Sequence, residues 1–127
     1  MYVGFHGHDQ TSNPDEVSTE DTFKAVFAAG GFLGANLDIG HYTSANGDAV
    51  AFIKAYHARI TNLHVKDRKR DHGPNAPFGQ GDTPIKAVLQ LLRDQKWAIP
   101  SNIEFEYEGD PLVEVPKCLQ FCREALA

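Results

Sequence analysis

A fourfold alternation of short apolar runs with longer amphipathic segments constrains the fold of this chain more than any other feature. The short runs are rich in aromatic and β-branched residues, which is typical of strands, whereas the longer segments follow a helical period. The predicted strands are residues 2–8, 33–41, 60–67 and 102–108, and the predicted helices are residues 21–31, 46–58, 85–97 and 111–126. Four consecutive strand–helix units imply a parallel sheet in a single α/β domain over residues 1–127.

Each predicted strand carries polar side chains on one face and apolar side chains on the other. In an open doubly wound sheet helices cover both faces, so the strands should read as almost continuously apolar. In a barrel, the helices cover only the outer face, and the C-terminal strand ends carry the functional side chains. The polar face holds, in chain order, His6, His8, Asn36, Asp38, Asn62, His64, Lys66, Glu104, Glu106 and Glu108. The pattern therefore predicts half of a (β/α)8 barrel.

The last predicted strand reads IEFEYE over residues 103–108, which places three glutamates on one face. Carboxylates in a row repel one another and resist burial, so a positive charge is expected beside them. A divalent cation would supply it, and Asp38, His41, His64, His6 and Glu106 are all suitable ligands. Mixed imidazole and carboxylate ligands suit manganese, cobalt, magnesium, zinc or iron.

Each of these residues also has an ordinary structural interpretation. A single strand histidine is usually a hydrogen-bonded core residue, and alternating glutamates on one strand are usually a solvated face. The recurrence of His, Asp or Glu on the same face of all four strands favours a metal site.

Composition excludes several classes of function. The net charge of −5 argues against a nucleic-acid partner. No run approaches the length of a membrane span, and residues 1–20 lack the layout of a signal peptide, so a cytoplasmic protein is expected. Cys118 and Cys122 lie four residues apart in a predicted helix, where disulfide geometry is poor, and are expected to be reduced thiols.

Four motifs together resemble the C-terminal half of the xylose isomerase-like TIM barrels, a superfamily of sugar phosphate isomerases and epimerases that also includes endonuclease IV. The motifs are NLDIGH (36–41), NLHVKDR (62–68), GQGDTP (79–84) and IEFEYEG (103–109). The resemblance covers nearly the whole chain, but its motifs are shared by enzymes with different reactions.

The resemblance implies roles for particular residues. Asp38 and His64 match the metal-binding aspartate and histidine of the family, and His41 and Arg68 match substrate-contacting residues. The glutamate that is both ligand and acid/base matches Glu106 best, and Glu104 remains an alternative because the motif can slide by two residues.

The first strand departs from the family pattern. Where the family usually reads Glu-x-His, GFHGH (4–8) places His6 at the glutamate position and His8 at the histidine position. Tagatose-type epimerases move a proton with two glutamates, so either His6 is the second base or that chemistry is lost. We expect Glu106 and His6 to be the catalytic pair, with substrate oxygens contacted by His41, Lys66, Arg68 and His8.

The implied function is divalent-metal-dependent isomerisation or epimerisation of a sugar, polyol or sugar phosphate, by proton transfer next to a carbonyl. One alternative is a non-catalytic half barrel that binds a metal or a sugar. A nuclease similar to endonuclease IV is less favoured, because the loop reads Asp71-His72 where that family has Asp-x-His, and because the chain is acidic.

A half barrel leaves the edges formed by residues 2–8 and 102–108 without a neighbouring strand. Two copies related by a two-fold axis could close an eight-stranded ring, or the remainder of a longer protein could cover the edges. We expect a homodimer that completes the barrel.

Overall fold

The computed structural model describes residues 1–127 and contains one sheet of four parallel strands in the order β1-β2-β3-β4. The strands are β1 (Val3–His6), β2 (Leu33–Asp38), β3 (Ile60–Val65) and β4 (Ser101–Ile103). The helices are α1 (Glu20–Ala29), α2 (Ile39–Ser44), α3 (Ala49–Tyr56), α4 (Ile85–Gln95) and α5 (Pro111–Leu126), with a 3-10 turn at His57–Arg59. Sequential parallel strands connected through helices confirm the predicted α/β fold, an open sheet of the half-barrel type.

The second strand is shorter than predicted, because a helix that the sequence pattern did not indicate follows it directly. β2 ends at Asp38, whose Oδ1 accepts a hydrogen bond from the backbone N–H of His41 at 2.8 Å. This N-cap starts α2. His41 therefore lies on a short helix above the strand end, where it was expected to lie on the strand itself.

The fourth strand is also shorter than predicted. β3 ends at Val65, whose carbonyl accepts the backbone N–H of Glu104 at 3.0 Å. No ladder partner lies beyond that bond, so the chain leaves the sheet after Glu104 and continues irregularly through Glu106 and Glu108. The prediction of a strand over 102–108 is wrong beyond its first residues, so Glu106 and Glu108 do not follow Glu104 along a regular strand.

The two faces of the sheet differ as the alternation predicts. Leu37 and Leu63 are fully buried beneath the helices, and they belong to an apolar core with Phe23, Ile53 and Val88 from α1, α3 and α4. Each such side chain contributes about 1.5–3 kcal/mol by its burial. The opposite face is polar and hydrogen-bonded along its length.

Three inner-face side chains form a row across β2 and β3. Asn62 Nδ2 donates to Asn36 Oδ1 at 3.0 Å, and Asn36 Nδ2 lies 3.3 Å from His64 Nε2. The row holds the His64 ring in one orientation at the C-terminal end of the sheet.

The long loop between β3 and α4 folds around one buried carboxylate. Asp67 Oδ2 accepts the backbone N–H groups of Gly79 at 2.8 Å and Gly81 at 3.0 Å, and Oδ1 accepts that of Thr83 at 3.2 Å. Asp67 is 2% exposed. These bonds tie residues 68–82 across the strand ends and fix the flanking Lys66 and Arg68.

Exposed apolar side chains lie at the β1 edge of the sheet and at the start of α5. β1 and β4 each have one neighbouring strand. Val3 and Phe5 on β1, and Leu112 and Val113 at the start of α5, are exposed.

None of the helices combines the length and apolar character that crossing a membrane requires.

Candidate functional site

Four side chains, one from the C-terminal end of each strand, meet on the polar face. One ligand atom from each of His6, Asp38, His64 and Glu104 lies within 4.8 Å of every other. We call these four residues the metal group. Two imidazoles and two carboxylates are a donor set that zinc, manganese, iron and cobalt accept.

Two atoms in the metal group lack the partners that buried polar atoms normally have. His6 Nε2 and Asp38 Oδ2 are buried, make no hydrogen bond and lie 3.6 Å apart, and Asp38 Oδ2 also lies 3.2 Å from Lys66 Nζ. His64 Nδ1 contacts Glu104 Oε2. Because buried polar groups rarely lack a hydrogen bond, two neighbouring ligand atoms without one fit a bound cation.

A buried ammonium group lies beside the metal group. The side chain of Lys66 is 1% exposed, and its Nζ lies 3.2 Å from Asp38 Oδ2, 3.0 Å from Glu104 Oε1 and 2.5 Å from Glu106 Oε2. Burial alone would lower the pKa of Lys66, but the surrounding carboxylates outweigh it and raise this pKa. Lys66 is therefore charged.

The charges of this region do not cancel. Asp38, Glu104 and Glu106 carry three negative charges against the one positive charge of Lys66, which leaves −2 with neutral imidazoles. Burial opposes ionisation of Asp38, yet contacts with His6, His41 and Lys66 prevail and lower its pKa to about 2. The residual charge equals that of one divalent cation. Lys66 thus supplies part of the positive charge that the glutamates require.

Glu106 lies outside the metal group. Its side chain is 46% exposed and its carboxylate bonds to Lys66. Of the two glutamates that fit the sequence motif, Glu104 is the one beside His64, because the chain follows the strand direction for one residue beyond Ile103 and then diverges. The hydrogen bond from Lys66 lowers the pKa of Glu106, against the effect of burial.

The predicted substrate-contacting residues lie next to the metal group. His41 Nε2 is 3.0 Å from Lys66 Nζ, and His41 Nδ1 is 2.7 Å from Arg68 Nη1. A neutral imidazole accepts at one nitrogen only, so His41 can satisfy one of these donors at a time. Burial lowers the pKa of His41, and the charges of Lys66 and Arg68 add to that effect.

The remaining histidines of the first strand region are also close. The facing Asp38 carboxylate raises the pKa of His6, although burial opposes it. The His8 ring centroid lies 5.0 Å from that of His6 and 5.4 Å from that of His41. His8 Nδ1 lies 2.8 Å from Glu16 Oε2, in the loop before α1. All of the predicted site residues thus gather at one end of the sheet.

Sequence reasoning missed Asp9 and Ser44. Ser44 Oγ donates to Asp9 Oδ2 at 3.0 Å, and Arg68 Nη1 lies 3.0 Å from the same oxygen. Asp9 follows β1 by three residues and Ser44 ends the unpredicted helix α2, so strand periodicity includes neither. The nearest signal in the sequence is the continuation of the His-rich run, HGHD, over residues 6–9.

Comparison with known proteins gives a consistent picture. The family model described as xylose isomerase-like TIM barrel matches residues 5–125. L-Ribulose-5-phosphate 3-epimerase UlaE from Escherichia coli is 29% identical over 92 residues, which are 71% of this chain and 32% of that protein. The chain therefore spans about a third of the length of this curated relative.

Solved structures share the fold. The apo form of 3-keto-D-glucoside 4-epimerase from Escherichia coli superposes with a TM-score of 0.76 at 13% identity, covering 98% of this chain and 46% of that one. The IOLI protein, solved with a bound zinc atom, gives a TM-score of 0.69 at 15% identity, covering 99% of this chain and 48% of that one. The four βα units thus correspond to about half of each larger structure.

Proposed function

Because this chain belongs to the xylose isomerase-like TIM barrel family, we propose that it is a divalent-metal-dependent isomerase or epimerase of a sugar or sugar phosphate, acting by proton transfer next to a carbonyl. The observation that carries the proposal is the convergence of His6, Asp38, His64 and Glu104, one from each strand, within 4.8 Å. The relatives named as sugar epimerases support the reaction class.

The metal group would hold the cation. A bound divalent ion would polarise the carbonyl and neighbouring hydroxyl of a sugar and so acidify the C–H bond between them. Manganese, cobalt, magnesium, zinc and iron all remain candidates, and the zinc-bound structural neighbour supports a divalent metal in general. Of the two glutamates that the motif allows, Glu104 is the proposed ligand in place of Glu106, because Glu104 is in contact with His64.

Glu106 and His6 are the proposed proton-transferring pair. Glu106 is half-exposed toward the open face of the site, and Lys66 keeps its carboxylate ionised and ready to accept a proton. In the metal-free protein the facing Asp38 carboxylate raises the pKa of His6. With a cation bound at Nε2, the Nδ1 of this ring would be the nitrogen that exchanges a proton. An imidazole can both donate and accept a proton near neutral pH.

The substrate oxygens would contact His41, Lys66, Arg68 and His8. These side chains surround the metal group on the side of α2 and the loop 68–82. Lys66 and Arg68 are donors, and His41, kept neutral by burial, can accept from a substrate hydroxyl in place of the donor that it otherwise satisfies. A sugar hydroxyl both donates and accepts, so this mixed lining suits a polyhydroxylated ligand.

We further propose that two copies of the chain close one eight-stranded ring. A two-fold axis along the barrel would pair β1 of one copy with β4 of the other and keep all strands parallel. The exposed apolar side chains of Val3 and Phe5 at the β1 edge support this arrangement, because they would be covered in a closed ring. A dimer mass in sedimentation equilibrium at micromolar concentration is expected, and a folded monomer under the same conditions would contradict ring closure.

The second candidate is a non-catalytic half barrel that binds a metal or a sugar. It is favoured by His6, which stands where the family pattern has a second glutamate. The two candidates differ in a single experiment with manganese and a panel of ketoses in deuterated water. Uptake of deuterium at a carbon-bound position, lost in Glu106→Gln, supports the enzyme. Manganese binding without deuterium uptake supports the binding protein, and absence of manganese binding contradicts the metal-dependent enzyme and leaves only a half barrel that binds a sugar.

A further inference from the structure

The loop after β1 directs a carboxylate into a cluster of basic and hydroxyl groups beside the metal group. Asp9 Oδ2 accepts a hydrogen bond from Ser44 Oγ at 3.0 Å and lies 3.0 Å from Arg68 Nη1. His72 Nδ1 lies 3.5 Å from the same oxygen, and His41 Nδ1 lies 3.7 Å from Asp9 Oδ1. We call the four groups around Asp9, from Ser44, Arg68, His72 and His41, the anion cradle.

The anion cradle is firmly built. Ser44 is fully buried, and the Arg68 side chain is 12% exposed. Arg68 Nε and Nη2 both donate to the carbonyl of Gly73, at 3.1 and 2.7 Å, which fixes the plane of the guanidinium. The backbone N–H of His72, a residue held at a φ of 56°, donates to the Ser44 carbonyl at 2.9 Å.

The cradle has the chemistry of an anion site. A fixed guanidinium, a hydroxyl donor and two imidazoles converge on one oxygen pair, as they would on a carboxylate or phosphate of a ligand. Asp9 is that anion in the structure. Burial alone would raise the pKa of Asp9, but Ser44 and Arg68 together outweigh it and keep this pKa low.

The charge balance determines which ligands fit. One guanidinium and one carboxylate cancel, so the cradle with Asp9 has no net charge when its imidazoles are neutral. A phosphate group that entered the cradle would be repelled by the Asp9 carboxylate and, at longer range, by the acidic side chains around Lys66. Displacing Asp9 would break its ion pair with Arg68 and its bond from Ser44, and breaking a largely buried charge pair is costly.

We propose that Asp9 is a specificity-determining residue that occupies the position of an anionic substituent, so that the site accepts an uncharged sugar and excludes a phosphorylated one. The identity of the ligand as a sugar rests on the proposed function. The exclusion of anions from the anion cradle does not depend on the proposed function, because none of the cradle groups belongs to the metal group.

The test measures the binding of inorganic phosphate to the metal-free protein. NMR monitors the ring signals of His41 and His72 as phosphate is added. Asp9→Asn removes the charge but keeps the shape and an oxygen that can accept from Ser44. Asp15→Asn, an exposed residue of the same loop, makes the same change in net charge and is the matched control.

Asp9→Asn is expected to bind phosphate at least about tenfold more tightly than the wild type, and Asp15→Asn is expected to match the wild type. Adding Arg68→Gln to Asp9→Asn should remove the gain, because the guanidinium is the principal cation of the cradle. Asp9→Glu retains the charge and should continue to exclude phosphate. Asp9→Ser makes the same comparison if Asp9→Asn does not fold by circular dichroism.

Equal phosphate affinities of the Asp9 and Asp15 variants would overturn the proposal. So would tight phosphate binding by the wild type that weakens in Asp9→Asn. A manganese titration of the same proteins tests the proposed function separately: loss of manganese binding would contradict a metal enzyme and leave the phosphate comparison intact.

Discussion

The metal group and the anion cradle lie side by side on one polar face, but their charges are balanced in different ways. Around the metal group, three carboxylates face the single ammonium of Lys66, and two buried ligand atoms make no hydrogen bond. In the cradle, the Arg68 guanidinium faces the single carboxylate of Asp9. His41 joins the two regions, with one ring nitrogen near Lys66 and the other near Arg68.

The difference shows how one polar surface can attract a cation at one point and exclude an anion at another. A region with two uncompensated negative charges attracts a divalent cation. A region whose only strong cation is already paired with an internal anion has little affinity for a second anion. Residue types alone do not distinguish these regions, because both contain Asp, His and a long basic side chain. The distinction lies in the number of charges within contact distance.

Removing the ammonium should have the largest effect. Lys66→Met leaves three carboxylates without their buried cation and is expected to lower the free energy of unfolding by about 3–5 kcal/mol in metal-free buffer. Manganese should restore part of the loss. Urea denaturation with and without manganese measures both effects. Lys69→Met, at an exposed pair with Asp82, should change stability by less than about 1 kcal/mol, and an equal loss in both variants would contradict the central role of Lys66.

Removing one carboxylate ligand should reduce metal binding next most strongly. Asp38→Asn keeps an oxygen that can cap α2 but loses the charge, and we expect manganese affinity to fall about 100-fold or more, beyond the effect of an outer-shell change. Asp48→Asn makes the same substitution at the N-cap of α3, away from the metal group, and should bind manganese like the wild type. Isothermal titration calorimetry compares the two, and similar affinities would count against Asp38 as a ligand.

Acid should weaken the metal-free protein through Asp38. Because its pKa is lowered from 3.8 to about 2 in the folded state, its ionised form stabilises the fold above pH 3.8, and this stability is lost as pH falls through about 2. Between pH 4 and pH 2 the wild type should lose about 2 kcal/mol more than Asp38→Asn. Parallel urea curves of the two proteins across that range measure the difference, and identical pH dependence would show that Asp38 does not contribute.

The smallest expected change in manganese affinity distinguishes the roles of the two glutamates. Glu104→Gln should weaken manganese binding about tenfold, because Glu104 contacts His64 in the metal group. Glu106→Gln should leave manganese affinity within about twofold while it abolishes deuterium exchange into a ketose. Calorimetry and NMR-detected exchange on both variants provide the comparison. The reverse pattern would return the ligand role to Glu106.

The parts of the fold that depend on local pattern could be predicted from the sequence. The four strands, their parallel order and the helices α1, α3, α4 and α5 follow from periodicity and capping residues, and the alternation in each strand identified the polar face. The gathering of His6, Asp38 and His64 follows from that face, because the C-terminal ends of parallel strands meet at one edge.

The rest depends on contacts between distant parts of the chain. Whether β4 continues past Ile103 is decided by where β3 ends, and strand periodicity does not give that boundary. The position of the Lys66 ammonium among the carboxylates depends on the reach of its side chain as well as on its face. Asp9 and Ser44 are 35 residues apart and meet only because α2 follows β2 without a loop.

The central claim is that one divalent cation is held jointly by side chains from all four strands, and anomalous diffraction at the manganese absorption edge tests it most directly. Crystals grown with manganese should give one anomalous peak per chain, within bonding distance of His6, Asp38, His64 and Glu104, and the peak should vanish in Asp38→Asn. Absence of a peak at this position in well-ordered crystals, or a peak bound only by exposed carboxylates elsewhere, would contradict the claim.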